Sequence, residues 1–346
     1  MSRGLGDVYK RQGLKFTSFA VGGGTPLILD EGQLEELFCL AELFGVHPSR
    51  VFTSVETSPE YTQKSVLRQL RARGVERLSM GVQSFNETEL KKLKRRPGLG
   101  TVVGALENIV EAGFPQFNLD LIYGIEGQTV ESFMRSLNTA LTYRPNELFI
   151  YPLYVRPGTR INVRSTDDIG YAIYKSAREL LVGQGFVQTS MRRFVRRETT
   201  ETEFSCGDEV MLSCGAGGRS YLGNLHYATP YAVRQQAIAD EIDHYIRTTD
   251  FMTAANGFLL STEEMQIRFI IKNLMYHRGV DLAEYEKRFG EKPDRNLFRE
   301  FTDRGWIEET GRIVRLTEEG MAYSDYIGQA FISPVVRKLM SEYVYP

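Results

Sequence analysis

Cysteine is scarce in this chain, tryptophan scarcer still, and no stretch is both long and apolar. Three cysteines among 346 residues, Cys39, Cys206 and Cys214, are too few and too scattered for a disulfide scaffold, which points to a reducing cytoplasm. Nowhere do roughly 18 apolar residues run together as a bilayer span requires. A formal charge of -2 removes any global pull toward nucleic acid or anionic lipid. What remains, 42% apolar and 25% charged residues, describes a folded globular chain with room for about two domains.

The leader Met1 to Gln12 has no apolar h-region and no small-residue cleavage site, so it is not a signal peptide. Its end, Asp7-Val8-Tyr9-Lys10-Arg11-Gln12, resembles the translation of a transposon adaptor used to build sequencing libraries. Residues 1–12 are therefore set aside as a processing scar, and the native frame is expected to enter near Gly13.

From Gly13 to about Arg156, short β-rich runs alternate with amphipathic helical stretches, which predicts repeated βα units and a parallel sheet. The strands read Phe16 to Val21, Val51 to Val55, Leu78 to Val82, Phe117 to Ile122 and Leu148 to Pro152. Helices read Asp30 to Phe44, Pro59 to Arg73, Glu87 to Arg95 joined to Thr101 to Ala112, and Val130 to Tyr143. Asp30 and Ser58 occupy cap positions, and Gly45, Gly74 and Gly113 sit where helices stop. Parity is the most informative feature. One face of each strand is aliphatic, while Ser54, Glu56, Ser79, Gly81, Gln83, Asn118 and Asp120 fall on the other. A sheet covered on both faces reads as unbroken Val, Ile and Leu, so the polar face is expected to line a cavity, as in a partial barrel. Glu56, Gln83 and Asp120 lie at the C-terminal strand ends, where parallel α/β folds build active sites.

Residues 161–256 form a connecting region, with a helix over Tyr171 to Gly183, a strand over Phe186 to Phe194, a basic cluster at Arg192, Arg193, Arg196 and Arg197, and a helix over Tyr231 to Thr248. Residues 257–346 read as three helices and a hairpin about Glu309-Thr310-Gly311, a winged-helix-like α+β domain without a basic stripe. A packing or substrate-cover role follows better than DNA binding.

The run Val21-Gly22-Gly23-Gly24-Thr25-Pro26 follows a strand but fits neither the dinucleotide fingerprint nor the P-loop. Taken with Val55-Glu56-Thr57-Ser58-Pro59, Arg77-Leu78-Ser79-Met80-Gly81-Val82-Gln83-Ser84-Phe85, Asn118-Leu119-Asp120-Leu121-Ile122-Tyr123-Gly124 and the segment from Tyr151 to Thr159, it resembles the radical S-adenosylmethionine family. The likeness is to the oxygen-independent coproporphyrinogen III oxidase-like branch, which also contains haem chaperones. It is strong from Phe16 to about Thr159 and weaker from Gly257 onward. The resemblance implies a radical SAM partial (β/α)6 barrel over residues 13–160, truncated to five of its six βα units, followed by the winged-helix-like domain.

It also implies roles. Gly23, Gly24 and Thr25 match the motif whose backbone carbonyls hold the methionine amino group of S-adenosylmethionine. Glu56 and Gln83 match positions around that amino group and the ribose, and Asp120 matches a second polar position there. Arg95 matches a base for the methionine carboxylate, and Tyr154 lies where backbone contacts to adenine are expected. For Arg95 a solvated helix end among Lys91, Lys92, Lys94 and Arg96 is the alternative; for Glu56 and Asp120 it is a structural hydrogen bond. Implied partners are an organic, porphyrinogen-like small molecule in porphyrin biosynthesis and an electron donor such as flavodoxin or ferredoxin.

The departures are as informative. Family chemistry uses three cysteines spaced C-x3-C-x2-C to hold a 4Fe-4S cluster, whose electron cleaves the cofactor to a 5'-deoxyadenosyl radical. That spacing is absent. Cys39 on a helix reads as a small buried hydrophobe, and Cys206 and Cys214, with His226 nearby, read as buried structural thiols, not metal ligands. The expectation is a parent enzyme represented by an inactive fragment, which an in-frame C-x3-C-x2-C encoded upstream of Gly13 would establish. The haem-chaperone alternative carries an H-N-x-x-Y-W signature in the family, whereas here His226 precedes Tyr227 and Ala228.

Overall fold

The computed structural model describes residues 15–95, 98–154, 167–197, 210–230, 232, 234–251, 253 and 256–343. Arg156 to Thr159 and Cys206 lie outside them. The chain divides into two compact units, one built mainly from residues 1–155 and 163–187, the other mainly from residues 205–346.

In the first unit, strands β1 (Ser18–Val21), β2 (Phe52–Thr57), β3 (Arg77–Gln83), β4 (Gln116–Tyr123) and β5 (Glu147–Pro152) lie side by side in sequence order and pair in parallel. Helices α1 (Glu31–Leu43), α2 (Lys64–Ala72), α3 (Glu87–Lys92), α4 (Leu99–Ala112) and α5 (Val130–Thr142) provide the connections. The aliphatic parity holds: Val55, Leu78, Met80, Leu119, Leu121 and Ile150 are buried with Leu34, Phe38, Leu67, Leu106 and Phe133 from the helices. Each such side chain contributes about 1.5–3 kcal/mol when fully buried. That single face therefore fixes the register of every strand.

Local chemistry explains the ends. Asp30 forms a capping box with Gln33, and Gly45, Gly74 and Gly113 all take the left-handed conformation that ends a helix. Ser58 does not cap. Its hydroxyl donates to Glu60, and Pro59–Tyr61 is a single tight turn separated from α2, because the predicted long helix would need an N-cap at Ser58 and the cap here is Gln63. The predicted joined helix from Glu87 likewise breaks between α3 and α4.

After α6 (Asp167–Gly183), the expected strand from Phe186 to Phe194 is two strands, β6 (Phe186–Gln188) and β7 (Arg193–Arg196), completing the order β1-β2-β3-β4-β5-β7-β6. β7 runs antiparallel to β5, and that reversal requires a turn at residues 189–192. The second unit holds β8 (Val210–Met211), β9 (Arg219–Leu222) and β10 (Leu225–Ala228), then α7 (Gln235–Arg247) and β11 (Gly257–Leu259), in an antiparallel sheet of order β11-β10-β9-β8. There follow α8 (Thr262–Leu274), β12 (Val280–Asp281), α9 (Leu282–Phe289), α10 (Asn296–Asp303) and the hairpin β13 (Ile307–Thr310) with β14 (Ile313–Leu316). Three short helices, α11 (Glu318–Ala322), α12 (Ser324–Ala330) and α13 (Pro334–Glu342), end it. Phe298, Phe301, Ile307, Val314, Met321 and Phe331 form its core. No described helix is long and apolar enough to cross a membrane.

Candidate functional site

The polar parity of β2 to β5 converges on one sheet face, with its functional groups at the C-terminal strand ends. Register places Glu56 beside Ser79, Ser79 beside Asn118, and Gly81 beside Asp120. Glu56 is the one exposed residue of β2, and its Oε2 accepts the Gly23 amide at 3.2 Å across from the turn after β1. Gly22 leaves the space this needs: a Cβ there would lie 2.9 Å from the Glu56 carboxyl carbon. Gly81 does the same for Gln83, since a methyl group at residue 81 would run into the Gln83 amide. Gln83 itself is buried, follows a register shift in β3, and has φ of +72°. For a residue other than glycine that geometry is strained by about 1–3 kcal/mol and is concentrated at functional sites.

Asp120 is half-buried and accepts Asn118 Nδ2 at 2.7 Å. Burial pushes its pKa up to about 6, against the hydrogen bond from Asn118 and the charge of Arg77, with Glu56 and Glu147 adding to the rise. Asn118 also donates to Ser79, while its own carbonyl oxygen is buried without a partner among the described residues. Tyr151, two strand positions beyond Phe149 and stacked on it at 5.6 Å, is held in its neutral form well above the ordinary tyrosine range by burial and by Asp120.

A raised carboxylate pKa stabilises the protein fully below the unfolded value of about 3.9 and loses that contribution as pH rises through the folded one. Asp120→Asn is therefore expected to gain stability on the wild type between pH 4 and about 6 and to hold a constant difference above it. Urea unfolding across that range checks this, and a flat difference from pH 4 upward refutes it.

The remaining candidates separate. Thr25 precedes a tight turn at Pro26–Ile28, where its carbonyl accepts Ile28 N at 3.0 Å, and Gly24 is exposed beside it. Tyr154 is 47% exposed at the end of β5 and pairs with Arg192, whose guanidinium donates to its hydroxyl and lies 5.5 Å from its ring. Arg95 is exposed beyond α3, and among the described residues no hydrogen bond or ion pair joins it to the other candidates.

Sequence reasoning missed the floor of the site. Glu147, 1% exposed, accepts Arg77 at 3.0 Å on one carboxylate oxygen and Arg193 at 2.7 Å on the other. Burial opposes ionisation of Glu147, but the two guanidiniums outweigh it and hold the carboxyl below its usual range. The signal existed. Arg77 and Glu147 are the first residues of β3 and β5, one position before the strands were expected to start. The basic cluster is also no unit: Arg193 serves Glu147, Arg192 serves Tyr154, and Arg196 lies 4.6 Å from the Phe186 ring and donates to Pro145 O.

The cysteines depart from expectation. Cys39 is exposed on α1, because its position falls off the Leu34, Phe38 and Ala41 stripe. Cys214 is exposed too, just before the turn at residues 215–217. Among the described residues no group of three His, Cys, Asp or Glu side chains stands ready to hold a metal ion.

Residues 7–140 match the radical SAM superfamily and residues 260–323 the HemN C-terminal domain. The chain is 27% identical to the haem chaperone HemW of Bacillus subtilis over 90% of its own length and 84% of the relative's. It is 35% identical to the oxygen-independent coproporphyrinogen III oxidase of Salmonella typhimurium, over 78% of this chain and 62% of that protein. The solved structure of coproporphyrinogen III oxidase from Escherichia coli superposes with a TM-score of 0.75 at 23% identity, covering 91% of this chain and 77% of that one.

Proposed function

From the premise that the chain belongs to the radical SAM superfamily and carries a HemN C-terminal domain, we propose that the strand-end cradle of β1 to β5 binds S-adenosylmethionine. The single observation that carries this is the pair of vacated positions, Gly22 and Gly81, which make room for the Glu56 carboxylate and the Gln83 amide at neighbouring strand ends. A cationic amino group suits the Glu56 carboxylate and the carbonyls of Gly23 to Thr25. The ribose hydroxyls suit Gln83 and Asp120, both hydrogen-bonding groups on the same sheet face. Arg95 is assigned the methionine carboxylate, where a guanidinium fork matches two oxygens, and the backbone at Tyr154 the adenine.

The residues of this chain do not fit an iron-sulfur cluster. Three thiolates in C-x3-C-x2-C spacing are needed, and Cys39, Cys206 and Cys214 are too far apart in sequence to supply them. These residues would hold the cofactor on the polar face of the sheet, which also carries a neutral Tyr151 and a titratable Asp120. The relatives point to an oxidoreductase of the coproporphyrinogen oxidase-like type acting on an organic, porphyrinogen-like substrate; without the cluster cysteines, this chain is read as binding the cofactor and not as cleaving it.

Calorimetric titration of the chain with S-adenosylmethionine is expected to give saturable one-to-one binding, and absence of heat and of any thermal shift overturns the proposal. A second reading, a haem-binding chaperone, is supported by the length over which the chain matches HemW of Bacillus subtilis. Adding haem and finding a shifted Soret band favours it; an unshifted band removes it.

A further inference from the structure

We propose that Glu89 is a positioning residue whose carboxylate holds the two loops following β3 and β4 in a fixed relation, and so sets Gln83 against Asp120. Glu89 is 4% exposed on α3, and no cation among the described residues is paired with it. Buried carboxylates are costly unless paired or fully hydrogen-bonded. Here three donors reach it: Ser84 Oγ at 2.5 Å and Gln128 Nε2 at 3.0 Å on one oxygen, and Ser132 Oγ at 2.7 Å on the other.

Each of those partners continues into a backbone segment. Ser84 directly follows the strained Gln83, and its hydroxyl accepts the Asn86 amide at 2.9 Å. The Phe85 amide donates to Ser136 on α5 at 3.1 Å. Gln128 turns its other end to the Gly124 amide at 2.8 Å, just beyond β4, and Ser132 closes the N-terminal box of α5 with Thr129. One carboxylate thus ties residues 83–86, residues 124–128 and the start of α5 together. Aspartate is too short to reach all three donors, and glutamine would turn an N–H₂ toward groups that already donate. A network of this kind fixes geometry more than it adds stability.

The consequence for the cofactor rests on the reading given above; the coupling of the two loops does not. Amide hydrogen exchange on Glu89→Asp and Glu89→Gln, with Leu106→Ala as a variant weakened in the core alone, separates the two. In Glu89→Asp the amides of Phe85, Asn86, Gly124 and Ile125 are expected to exchange at least about tenfold faster relative to Leu119 and Ile150, the effect of losing about one hydrogen bond locally. Glu89→Gln is expected to fall between, and Leu106→Ala to leave the ratio unchanged. Loop amides that keep their protection relative to the strands in both Glu89 variants, or that loosen equally in Leu106→Ala, overturn the proposal. Binding of S-adenosylhomocysteine is expected to weaken about five- to twentyfold in Glu89→Asp. A wild type that binds none refutes the cofactor reading, while the exchange ratios still decide Glu89.

Discussion

Replacing Glu147 by alanine is expected to cost the first unit about 3–5 kcal/mol, enough to unfold a chain of ordinary stability at moderate temperature. The carboxylate lies between two guanidiniums that are themselves buried, with side-chain exposures of 11% for Arg77 and 9% for Arg193. Removing it leaves the positive charges of Arg77 on β3 and Arg193 on β7 without the carboxylate that they share. Desolvation of an unpaired charge, not loss of a favourable bond, dominates the effect. Replacing Arg77, Glu147 and Arg193 together by apolar residues of similar size is accordingly expected to restore much of the loss. Urea unfolding followed by circular dichroism measures both, and a single variant within about 1 kcal/mol of the wild type refutes the account. The pH dependence has a definite sign. Because the folded carboxyl is held below its usual range, its contribution is present above the unfolded value of about 4.3 and is lost as pH falls through the folded one.

The second large effect concerns the cradle. Glu56→Ala removes the carboxylate that accepts the Gly23 amide and faces the proposed ammonium group, and a hydrogen bond to a charged group is worth about 1.5–3 kcal/mol. Affinity for S-adenosylmethionine is expected to fall about 10- to 150-fold. Gly22→Ala is expected to fall nearly as far without touching the ligand, because its methyl group occupies the place of the Glu56 carboxyl. Stability is a poor witness here: Gly22 is exposed and has no positive φ, so alanine is tolerated by the backbone. The double variant separates a shared cause from two independent ones. If both act on the Glu56 carboxylate, it binds no more weakly than Glu56→Ala alone; losses that multiply place the two residues in separate roles.

The contrast between these two sites follows the limits of strand reading. Glu56, Gln83 and Asp120 were visible because each alternates with buried aliphatic residues inside a clear period-two run, so parity alone assigns them a face. Arg77 and Glu147 obey the same parity. They were missed because a charged residue at the edge of an apolar run looks like the loop before it, and only pairing across β3, β5 and β7 identifies it as strand. Arg193 was hidden in another way. A local run of four arginines reads as one solvated patch, and the turn between β6 and β7 instead directs consecutive side chains to opposite faces. Cys39 shows the converse error, since residue type favoured burial while helical phase placed it outside the apolar stripe.

Periodicity and local capping chemistry by themselves determined the parallel βα order, the polar face, the strand-end position of the candidate residues and the hairpin near the C-terminal end, because each depends on neighbours a few positions away. Motif order carried the family. Only the tertiary structure decided that Glu147 neutralises two arginines, that glycines at 22 and 81 vacate space for Glu56 and Gln83, and that Glu89 ties two loops together. Those pairings join residues 2 to 70 positions apart, and the distant ones depend on sheet register and helix docking. Hydrophobic burial fixes that register through the aliphatic face, and the polar contacts on the other face follow from it.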